Sequence, residues 1–454
     1  MITYSIIKKS ELEGALRLDA EYYQPEYLNI NSKIKNQKSK LLKDFAEKIF
    51  SGPFGSTLKS ESYQTLGIPF IRIGDIADIF VEKESLVYIS PEENKRIFST
   101  HLNIGDIVFS KIGTIGRLSI IDEELGQVNI SENNIGIRFK NIDSEMKIFL
   151  LFFLISKYGQ SQITRMGSGN IQQKLNVSDI ESIAVPLFSK ELLQNLSGDY
   201  KNIIKFRKES EVFYSQAEQL LLKELGLENF EEQEDLVSIV KFSDIKKFQR
   251  MDAEYFQPKY EKIISRIKQT KHSLLGDLVS VKKGIEIGAE QYQENGKLFF
   301  RVSSLSKQGI IDKDQKYLSD ELYQKLKANF EPKIGEILLT KDATPGIAYV
   351  LKEKVDGVIS SGTLRLKIKQ EIEAEYLALF INSILGQMQA ERDAGGSIIS
   401  HWKPEQVKNL IVPILPQEVQ QKIAELVIKS HQARQKAKEL LEEAKQKVEN
   451  LIEK

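Results

Sequence analysis

The sequence predicts an α+β fold class, in which two similar globular domains are joined by two long helices. We expect these helices to form an antiparallel, coiled-coil-like spacer with pseudo-two-fold symmetry. Three observations support the prediction. A long internal repeat indicates two copies of one domain. Short strand-like segments and turns fill the first part of each half. A proline-free stretch with helical spacing of apolar residues ends each half.

The repeat is clearest near the start of each half. Residues 17–27 return as residues 250–260, and all but three of these positions are identical. A single ordered series of matches then continues along both halves, so chance is a poor explanation. The further matched segments are 68–73 with 297–302, 105–111 with 335–341, Thr114 and Gly116 with Thr344 and Gly346, and 183–187 with 410–414.

Each half begins with mixed strands and turns and ends in a long helix. Residues 68–73 and 104–109 are predicted strands, and residues 147–156 a helix. Long helices are predicted over residues 191–229 and 418–454. Gly198 is a candidate break in the first long helix, and Gly226 a candidate left-handed end.

A long helix with one apolar stripe is not stable alone, so each must pack against something. Packing of the two helices against each other is favoured, and packing of each onto its own domain is the alternative. The predicted boundaries are a first domain at 1–185, a central long-helix region at 186–235, a second domain at 236–412 and a C-terminal long helix at 413–454.

Composition bounds the function classes. The chain has no cysteine, which excludes disulfides and cysteine-based sites, and 64 basic residues balance 64 acidic ones. Neutral net charge argues mildly against a protein that coats DNA by itself. The start does not resemble a signal peptide, and the longest apolar run, residues 148–155, is far shorter than the ~20 residues of a membrane helix. A cytoplasmic protein with no membrane partner is expected.

Catalytic and metal-binding interpretations find little support in the sequence. No Pro-Pro pair is present for an adenine-methyltransferase loop, and the four histidines lack zinc-ligand spacing. We therefore predict no catalytic residues and no metal ligands. The carboxylates of Asp19 and Glu21 recur as Asp252 and Glu254, which favours a structural role. We expect this segment to pack onto the long helices, with Asp19 or Asp252 as a helix cap.

The ordered motifs together resemble the specificity subunit of type I restriction-modification enzymes. The resemblance covers essentially the whole chain and is carried in duplicate. In the first half its residues are the Asp-Ala-Glu-Tyr-Tyr-Gln-Pro motif at 19–25, the segments 51–59 and 105–111, and the Val-Pro-Leu exit at 185–187. The second half departs from the Gly-Pro-Phe-Gly pattern after Gly284.

The resemblance implies a definite function. Each half is expected to be a target-recognition domain that reads one part of a split sequence in double-stranded DNA. The long helices are expected to set the spacing and to dock two methyltransferase subunits, with endonuclease/translocase subunits as further partners. The chain itself is expected to be a non-catalytic subunit without a cofactor, and S-adenosylmethionine is expected in the partner methyltransferase.

Candidate DNA-contacting residues are polar or basic and lie mainly on glycine-containing loops at matched positions. Each has a structural alternative: an ordinary turn for the loop residues, and ion pairs for Arg72 and Arg301, predicted within strands, and for Arg165 and Arg392. The candidates are Lys59, Arg72, Lys111, Thr114, Arg117, Arg165, Asn170, Gln172, Lys174, Arg301, Lys341, Thr344, Arg392, Ser397, His401 and Lys403.

Two other functions remain open at this stage. One is a non-catalytic protein-interaction scaffold with two repeated domains, which neutral net charge favours slightly. The other is the specificity arm of another restriction-modification class. A positive stripe across both domains would favour DNA binding, and an exposed apolar patch would favour the scaffold.

Overall fold

A computed structural model shows two compact units, the first comprising Met1–Lys205 with Lys436–Lys454 and the second Phe206–Gln435. The residues that the structure describes are 4–12, 17–53, 58–77, 79–167, 173–228, 230, 237–248, 250–311, 315–395 and 400–453.

The first unit is built on two four-stranded sheets, with strand orders β2-β11-β8-β9 and β6-β3-β10-β7. Most neighbours are antiparallel, but β3 and β10 are parallel. The strands of this unit are β1 (Ser39–Leu41), β2 (Ala46–Ser51), β3 (Ile68–Ile71), β4 (Ile76–Ala77), β5 (Phe80–Val81), β6 (Val87–Ile89), β7 (His101–Leu102), β8 (Ile107–Ser110), β9 (Leu118–Ile120), β10 (Val128–Ile130), β11 (Asn134–Phe139) and β12 (Ala184–Pro186).

Helices accompany the sheets of the first unit. The predicted apolar run forms most of α4, where residues 149–154 are completely buried, so its length reflects core packing. The helices that begin in this unit are α1 (Pro25–Lys35), α2 (Leu42–Phe45), α3 (Pro91–Arg96), α4 (Ser144–Ile155), α5 (Lys157–Met166), α6 (Val177–Glu181) and α7 (Lys190–Glu224).

The second unit repeats this plan, with sheet orders β14-β22-β19-β20 and β18-β15-β21. The parallel pair recurs between β15 and β21. Its strands are β13 (His272–Leu274), β14 (Val279–Lys283), β15 (Lys297–Phe300), β16 (Leu305–Ser306), β17 (Gly309–Ile310), β18 (Lys316–Leu318), β19 (Ile337–Thr340), β20 (Ala348–Val350), β21 (Gly357–Ile359), β22 (Thr363–Ile368) and β23 (Ile411–Pro413).

The helices of the second unit follow the same order. The core of this unit joins the central sheet to α12, whose residues 375–381 are buried. The helices that begin in this unit are α8 (Phe242–Phe248), α9 (Pro258–Lys268), α10 (Leu275–Leu278), α11 (Asp320–Phe330), α12 (Ala374–Asn382), α13 (Ile384–Asp393), α14 (Pro404–Lys408) and α15 (Gln417–Glu453).

The two long helices contact each other within each unit. In the first unit, Lys447 of α15 forms a 2.7 Å ion pair with Asp199 of α7. In the second unit, the buried hydroxyl of Ser430 donates to the carbonyl of Ser210 at 2.8 Å. The predicted α+β class with a duplicated domain and two long helices is therefore confirmed.

The long helices also pack onto their globular units, so the two predicted packing modes occur together. Tyr200 of α7 packs against Phe80 and Phe152 in the first unit, with ring centroids 6.4 Å apart in each pair. Ile423 and Val427 of α15 belong to the core of the second unit, as do Ala217 and Leu221 of α7. Burial on both sides explains how such long helices are stabilised.

The two glycines of α7 behave differently. Gly198 does not break the helix, so that expectation is wrong, and a side chain there would meet open space. Gly226 lies just beyond the helix end with a φ of 62°, and the next amide, of Leu227, donates to the carbonyl of Leu222 at 2.8 Å. The predicted left-handed termination is confirmed.

No helix within the described parts of the chain is both long and apolar enough to cross a membrane.

Candidate nucleic-acid interface

Two segments of the first unit meet to form one loop, which we call the first composite loop (residues 111–117 and 173–175). The β8–β9 turn supplies one segment, and the approach to α6 supplies the other. Gly113 donates its amide to the carbonyl of Gln173 at 3.1 Å, and Leu175 donates to Lys111 at 2.9 Å. This pairing brings Ile112 opposite Lys174. Lys111, Thr114 and Arg117, which were predicted on one segment, therefore share a loop with Lys174, which was predicted on another.

The second composite loop (residues 341–346 and 400–403) has the same construction. Ala343 donates its amide to Ser400 at 2.9 Å, and Trp402 donates to Lys341 at 2.7 Å. Asp342 lies opposite His401. The buried side chains of Trp402 here and Leu175 in the first loop anchor the equivalent segments. Lys341, Thr344, His401 and Lys403 are thus brought to one loop.

Matching hydroxyl groups hold the two turns in shape. Ser110 donates to the carbonyl of Thr114 at 2.7 Å and accepts from the amide of Arg117. Thr340 makes the equivalent bonds to Thr344 and Ile347. The backbone of both turns requires a positive φ, which glycine adopts without steric cost.

The positive φ falls at equivalent positions in the two turns. Gly113 has a φ of 78°, and Ala343 has a φ of 60° at the matching place. An alanine in this region is uncommon and costs backbone strain. The surrounding hydrogen bonds of the second composite loop therefore hold Ala343 in a conformation that glycine would adopt more easily.

The lysines that follow β8 and β19 are partly or fully buried. Nζ of Lys111 donates to the hydroxyl of Ser51 at 2.6 Å. Burial lowers the pKa of Lys111, and the nearby charge of Lys174 lowers it further. Nζ of Lys341 lies 2.6 Å from Oδ2 of Asp342. Both lysines support their loops, and neither reaches fully into solvent.

The carboxylate of Asp342 contacts both Lys341 and His401 in the second composite loop. Its other oxygen, Oδ1, lies 2.8 Å from Nδ1 of His401. Burial raises the pKa of Asp342, but the hydrogen bonds from Lys341 and His401 outweigh burial, so that the pKa is lowered overall. The carboxylate is therefore ionised at neutral pH.

The exposed side chains of the composite loops are the ones able to reach a ligand. Thr114 and Lys174 are exposed in the first loop, and Thr344, His401 and Lys403 in the second. Arg117 is half-buried. Lys59 is exposed on a separate segment, before the 3₁₀ turn Ser60–Ser62, so it is not part of the first composite loop.

Two predicted strand arginines lie just beyond their strands. Arg72 follows β3 and forms an ion pair with the buried carboxylate of Asp75 at 3.2 Å, while its other nitrogen donates to the carbonyl of Ser85. Arg301 follows β15, and its backbone amide donates to the hydroxyl of Ser304. The predicted position of both arginines inside strands is therefore wrong by one residue. The ion pair of Arg72 is the one expected if this arginine has a structural role.

Arg165 and Arg392 also take positions that differ from the phosphate-clamp prediction. Arg165 is 5% exposed, and its Nε donates to the carbonyl of Tyr22 at 2.7 Å. Arg392 pairs with Asp393 at 2.9 Å, and its side chain is 15% exposed. Both arginines therefore make packing contacts within their units, and a contact with phosphate stays a prediction.

The duplicated motif at 17–27 forms an arginine–tyrosine–arginine stack in the first unit. The guanidinium carbons of Arg17 and Arg165 lie 4.4 and 3.9 Å from the ring centroid of Tyr22. Arg17 also pairs with Asp19 and donates to the carbonyl of Met166, at the end of α5. This stacking gives a structural role to both the arginine and the first tyrosine of the repeated motif.

The second unit contains the same stack. The guanidinium carbons of Arg250 and Arg392 lie 4.7 and 5.1 Å from the ring centroid of Tyr255. Arg250 pairs with Asp252 and donates to the carbonyl of Asp393, at the end of α13. The recurrence of arginine at 165 and 392 was the sequence signal for this contact.

The repeated carboxylates have a structural role, as predicted. The predicted helix capping and the predicted packing on the long helices are wrong. Asp19 and Asp252 make no capping hydrogen bond to their 3₁₀ turns and pair with arginine instead. The segments pack on α5 and α13, which precede the composite-loop segments. Among the described residues, no group of three or more metal-ligating side chains is found.

Three predicted DNA-contacting residues lie outside the described residues. They are Asn170, Gln172 and Ser397.

The fold and loops together define a duplicated α+β protein that presents one polar composite loop in each unit. A family model described as type I restriction modification DNA specificity domain matches residues 34–192 and 268–446. These two regions make up more than half of the chain. The chain therefore belongs to this family of type I restriction-modification specificity proteins.

Two curated relatives are similar to this chain. The type I restriction enzyme EcoBI specificity subunit of Escherichia coli is 31% identical over 129 residues, which span 28% of this chain and 26% of that subunit. The chain thus aligns with about a quarter of that relative. The type I restriction enzyme MjaX specificity subunit of Methanocaldococcus jannaschii is 23% identical, over 90% of this chain and 91% of that subunit.

Solved structures of specificity subunits are also similar to this chain. The S subunit of a type-I restriction-modification system from M. genitalium has a TM-score of 0.41 and 12% identity, covering 92% of this chain and 95% of that one. The HsdS subunit from Thermoanaerobacter tengcongensis has a TM-score of 0.28 and 13% identity, with coverages of 92% and 95%. These scores are low, so the family assignment rests on the sequence match.

Proposed function

We propose that this chain is the DNA sequence-specificity subunit of a type I restriction-modification complex and that it reads a bipartite DNA target. The observation that carries the proposal is the pair of composite loops. They share a backbone arrangement but differ at equivalent side chains, such as Ile112 and Asp342 or Lys174 and His401. Two different half-sites require different side chains, polar or apolar, at equivalent positions of the same backbone.

The proposal also includes docking of two methyltransferase subunits, together with endonuclease subunits. Apolar side chains at matched positions of the two repeats support it, because each is at least 79% exposed. Large exposed apolar side chains that recur together are typical of protein-binding surfaces. Duplication favours two copies of one partner. The matched pairs are Tyr4 with Val237, Ile6 with Ile239, and Leu18 with Met251.

In this proposal the chain has no active site of its own. The S-adenosylmethionine site and the methyl transfer belong to the methyltransferase subunits. The chain selects the DNA on which they act, and the expected cellular compartment is the cytoplasm, where the DNA is. The same exposed apolar residues would suit a protein-interaction scaffold, which differs from our proposal by having no effect on methylation.

A genome-wide map of adenine methylation tests the proposal. Cells carrying this gene and a partner methyltransferase gene are compared with cells in which this gene alone is deleted. We expect a split sequence motif with a fixed gap that disappears on deletion. Unchanged methylation with an active methyltransferase would contradict the proposal and favour the scaffold.

Docking is tested separately by copurification of methyltransferase with the full chain. We expect Ile6→Glu or Ile239→Glu to reduce the bound methyltransferase to one copy, and the double variant to remove both. Leu66→Glu is the control, because Leu66 is 80% exposed and lies outside the matched pairs. Two bound copies in the double variant would contradict the docking proposal.

A further inference from the structure

The two composite loops differ in chemistry at the pair of residues that bridges their segments. Ile112 faces Lys174 in the first loop, and Asp342 faces His401 in the second. The backbone hydrogen bonds that join the two segments around each pair are equivalent, and His401 also pairs through its backbone with Gly395. The difference between the two loops at this place is therefore one of side-chain chemistry, on a shared backbone.

The imidazole of His401 is held in one orientation. Its Nδ1 lies 2.8 Å from Oδ1 of Asp342, and Oδ2 of the same carboxylate lies 2.6 Å from Nζ of Lys341. An ionised carboxylate can only accept hydrogen bonds, so Nδ1 of His401 carries the proton. In the neutral imidazole, Nε2 is then a hydrogen-bond acceptor.

Burial increases along these contacts from His401 through Asp342 to Lys341. The side chain of His401 is 57% exposed, that of Asp342 is 21% exposed and that of Lys341 is 10% exposed. The accessible imidazole of His401 is therefore held by side chains that are less exposed than it is. An accessible group held by less exposed partners is typical of a preorganised binding residue.

We propose that His401 reads a base in the second half-site, with Asp342 as its positioning residue. Nε2 of His401 accepts a hydrogen bond from the exocyclic amino group of adenine or cytosine in the major groove. Those amino groups are the donors that the major groove presents. The inference rests on the proposed function, which it deepens by assigning a base-contacting residue.

The first half has the opposite hydrogen-bonding capacity at the equivalent place. Lys174 is exposed there and has donors only. Its ammonium group suits an acceptor, such as O6 or N7 of guanine or a phosphate oxygen. The bridging pair therefore gives the two halves different preferences on segments that are joined by the same backbone hydrogen bonds.

The experiment measures the sequence preference of methylation by the purified complex of the full chain with its methyltransferase subunits. One half-site of the DNA is randomised at a time. The first variant is His401→Asn, because the amide nitrogen of asparagine replaces Nδ1 beside Asp342 while nothing replaces Nε2. Asp342→Asn is the second variant, because its amide group no longer forces the proton onto Nδ1.

The matched control is His272→Asn. His272 is also an exposed histidine of the second unit, with Nδ1 2.9 Å from the carbonyl of Thr270, but it lies on β13 outside the composite loop. Thermal unfolding of each variant complex shows that the fold is retained. Asp342→Asn keeps the shape of the side chain, so it remains informative if His401→Asn destabilises the loop.

We expect His401→Asn to reduce discrimination at one base pair of the second half-site by about tenfold. Asp342→Asn weakens the same preference, the first half-site is unaffected, and His272→Asn changes nothing. Unchanged preference at every position in both variants would overturn the inference, as would a uniform loss of methylation with the preference retained. Failure of the wild-type complex to select a split motif would instead overturn the proposed function.

Discussion

The central sheets of the two units have the same strand order, but different side chains stabilise them. Gly136 of β11 pairs with Phe50 and Val108, and a Cβ at Gly136 would lie 2.8 Å from the Phe50 ring. The equivalent place in β22 holds Arg365, which pairs with Lys282 and Leu338 in register. In the first unit the ring of Phe50 therefore fills this region, and in the second unit Arg365 occupies it.

The carboxylates that precede β8 and β19 follow this difference. Asp106 is buried and accepts from the amides of Asn103 and Phe139, and burial raises its pKa. Glu336 likewise accepts from a backbone amide, that of Lys333, but its other partner is Arg365, whose Nε and Nη2 donate at 2.8 and 2.9 Å. Backbone hydrogen bonds and ring packing therefore stabilise the central sheet in the first unit, whereas one such backbone hydrogen bond and a buried ion pair stabilise it in the second.

The largest expected effect comes from exchanging the recognition segments of one unit. Replacing residues 112–117 and 167–174 with those of a subunit of different specificity should change only one half of the recognised sequence. Each wrong base pair in the original half-site then costs about 1–3 kcal/mol of binding free energy. Methylation mapping measures the change.

The reciprocal exchange in the second unit is the control for this prediction. Replacing residues 342–346 and 395–403 should change the other half-site alone. A change in both half-sites after either exchange would show that the units are not independent readers.

The next largest effect is expected from Arg365→Ala. It leaves the buried carboxylate of Glu336 without its ion pair, which typically costs about 3–5 kcal/mol in the free energy of unfolding. Urea unfolding measures the loss, and hydrogen exchange should show faster opening of the second unit. Lys325→Ala is the control, because its partner Glu321 is exposed and the pair contributes little. Equal losses in the two variants would argue against a structural role for Glu336–Arg365.

A smaller effect is expected from removing the stacking arginines. Arg17→Ala should lower the free energy of unfolding of its unit by about 1–2 kcal/mol, since the cation–π contact with Tyr22 is lost. The ion pair with Asp19 and the bond to the carbonyl of Met166 are lost as well. Arg250→Ala should have a similar effect in the second unit. A loss confined to one of the two variants would show that the stacks are not equivalent.

The smallest effect concerns acid stability and distinguishes the two composite loops. The pKa of Asp342 is lower in the folded chain than its ordinary value of 3.8. The ionised carboxylate therefore stabilises the fold above that value, and this contribution disappears as the pH falls through the lowered pKa. The difference in unfolding free energy between wild type and Asp342→Asn should shrink in acid.

Ile112→Val is the control for the acid experiment. Ile112 occupies the equivalent place in the first composite loop and carries no charge. Its effect on the unfolding free energy should not vary through the same pH range. A constant difference for Asp342→Asn would mean that the carboxylate is not stabilised by its neighbours.

Several features could be predicted because they depend on short-range patterns. The ends of α7 and α15 follow from apolar periodicity and from Gly226, and the duplicated domain follows from matched motifs. The roles of single arginines could not be predicted in the same way. Arg165 and Tyr22 are distant in sequence, and only folding brings the guanidinium onto the ring.

Repeats and helical periodicity are local properties of the chain, so the sequence alone predicts that one α+β domain occurs twice and that each copy ends in a long helix. Which polar residues share a site depends on the folded chain. The meeting of residues 112 and 174, or of 342 and 401, depends on pairing between distant segments. The tertiary structure also determines which charges face solvent and which are buried, because burial is set by packing around a side chain and not by its neighbours in sequence.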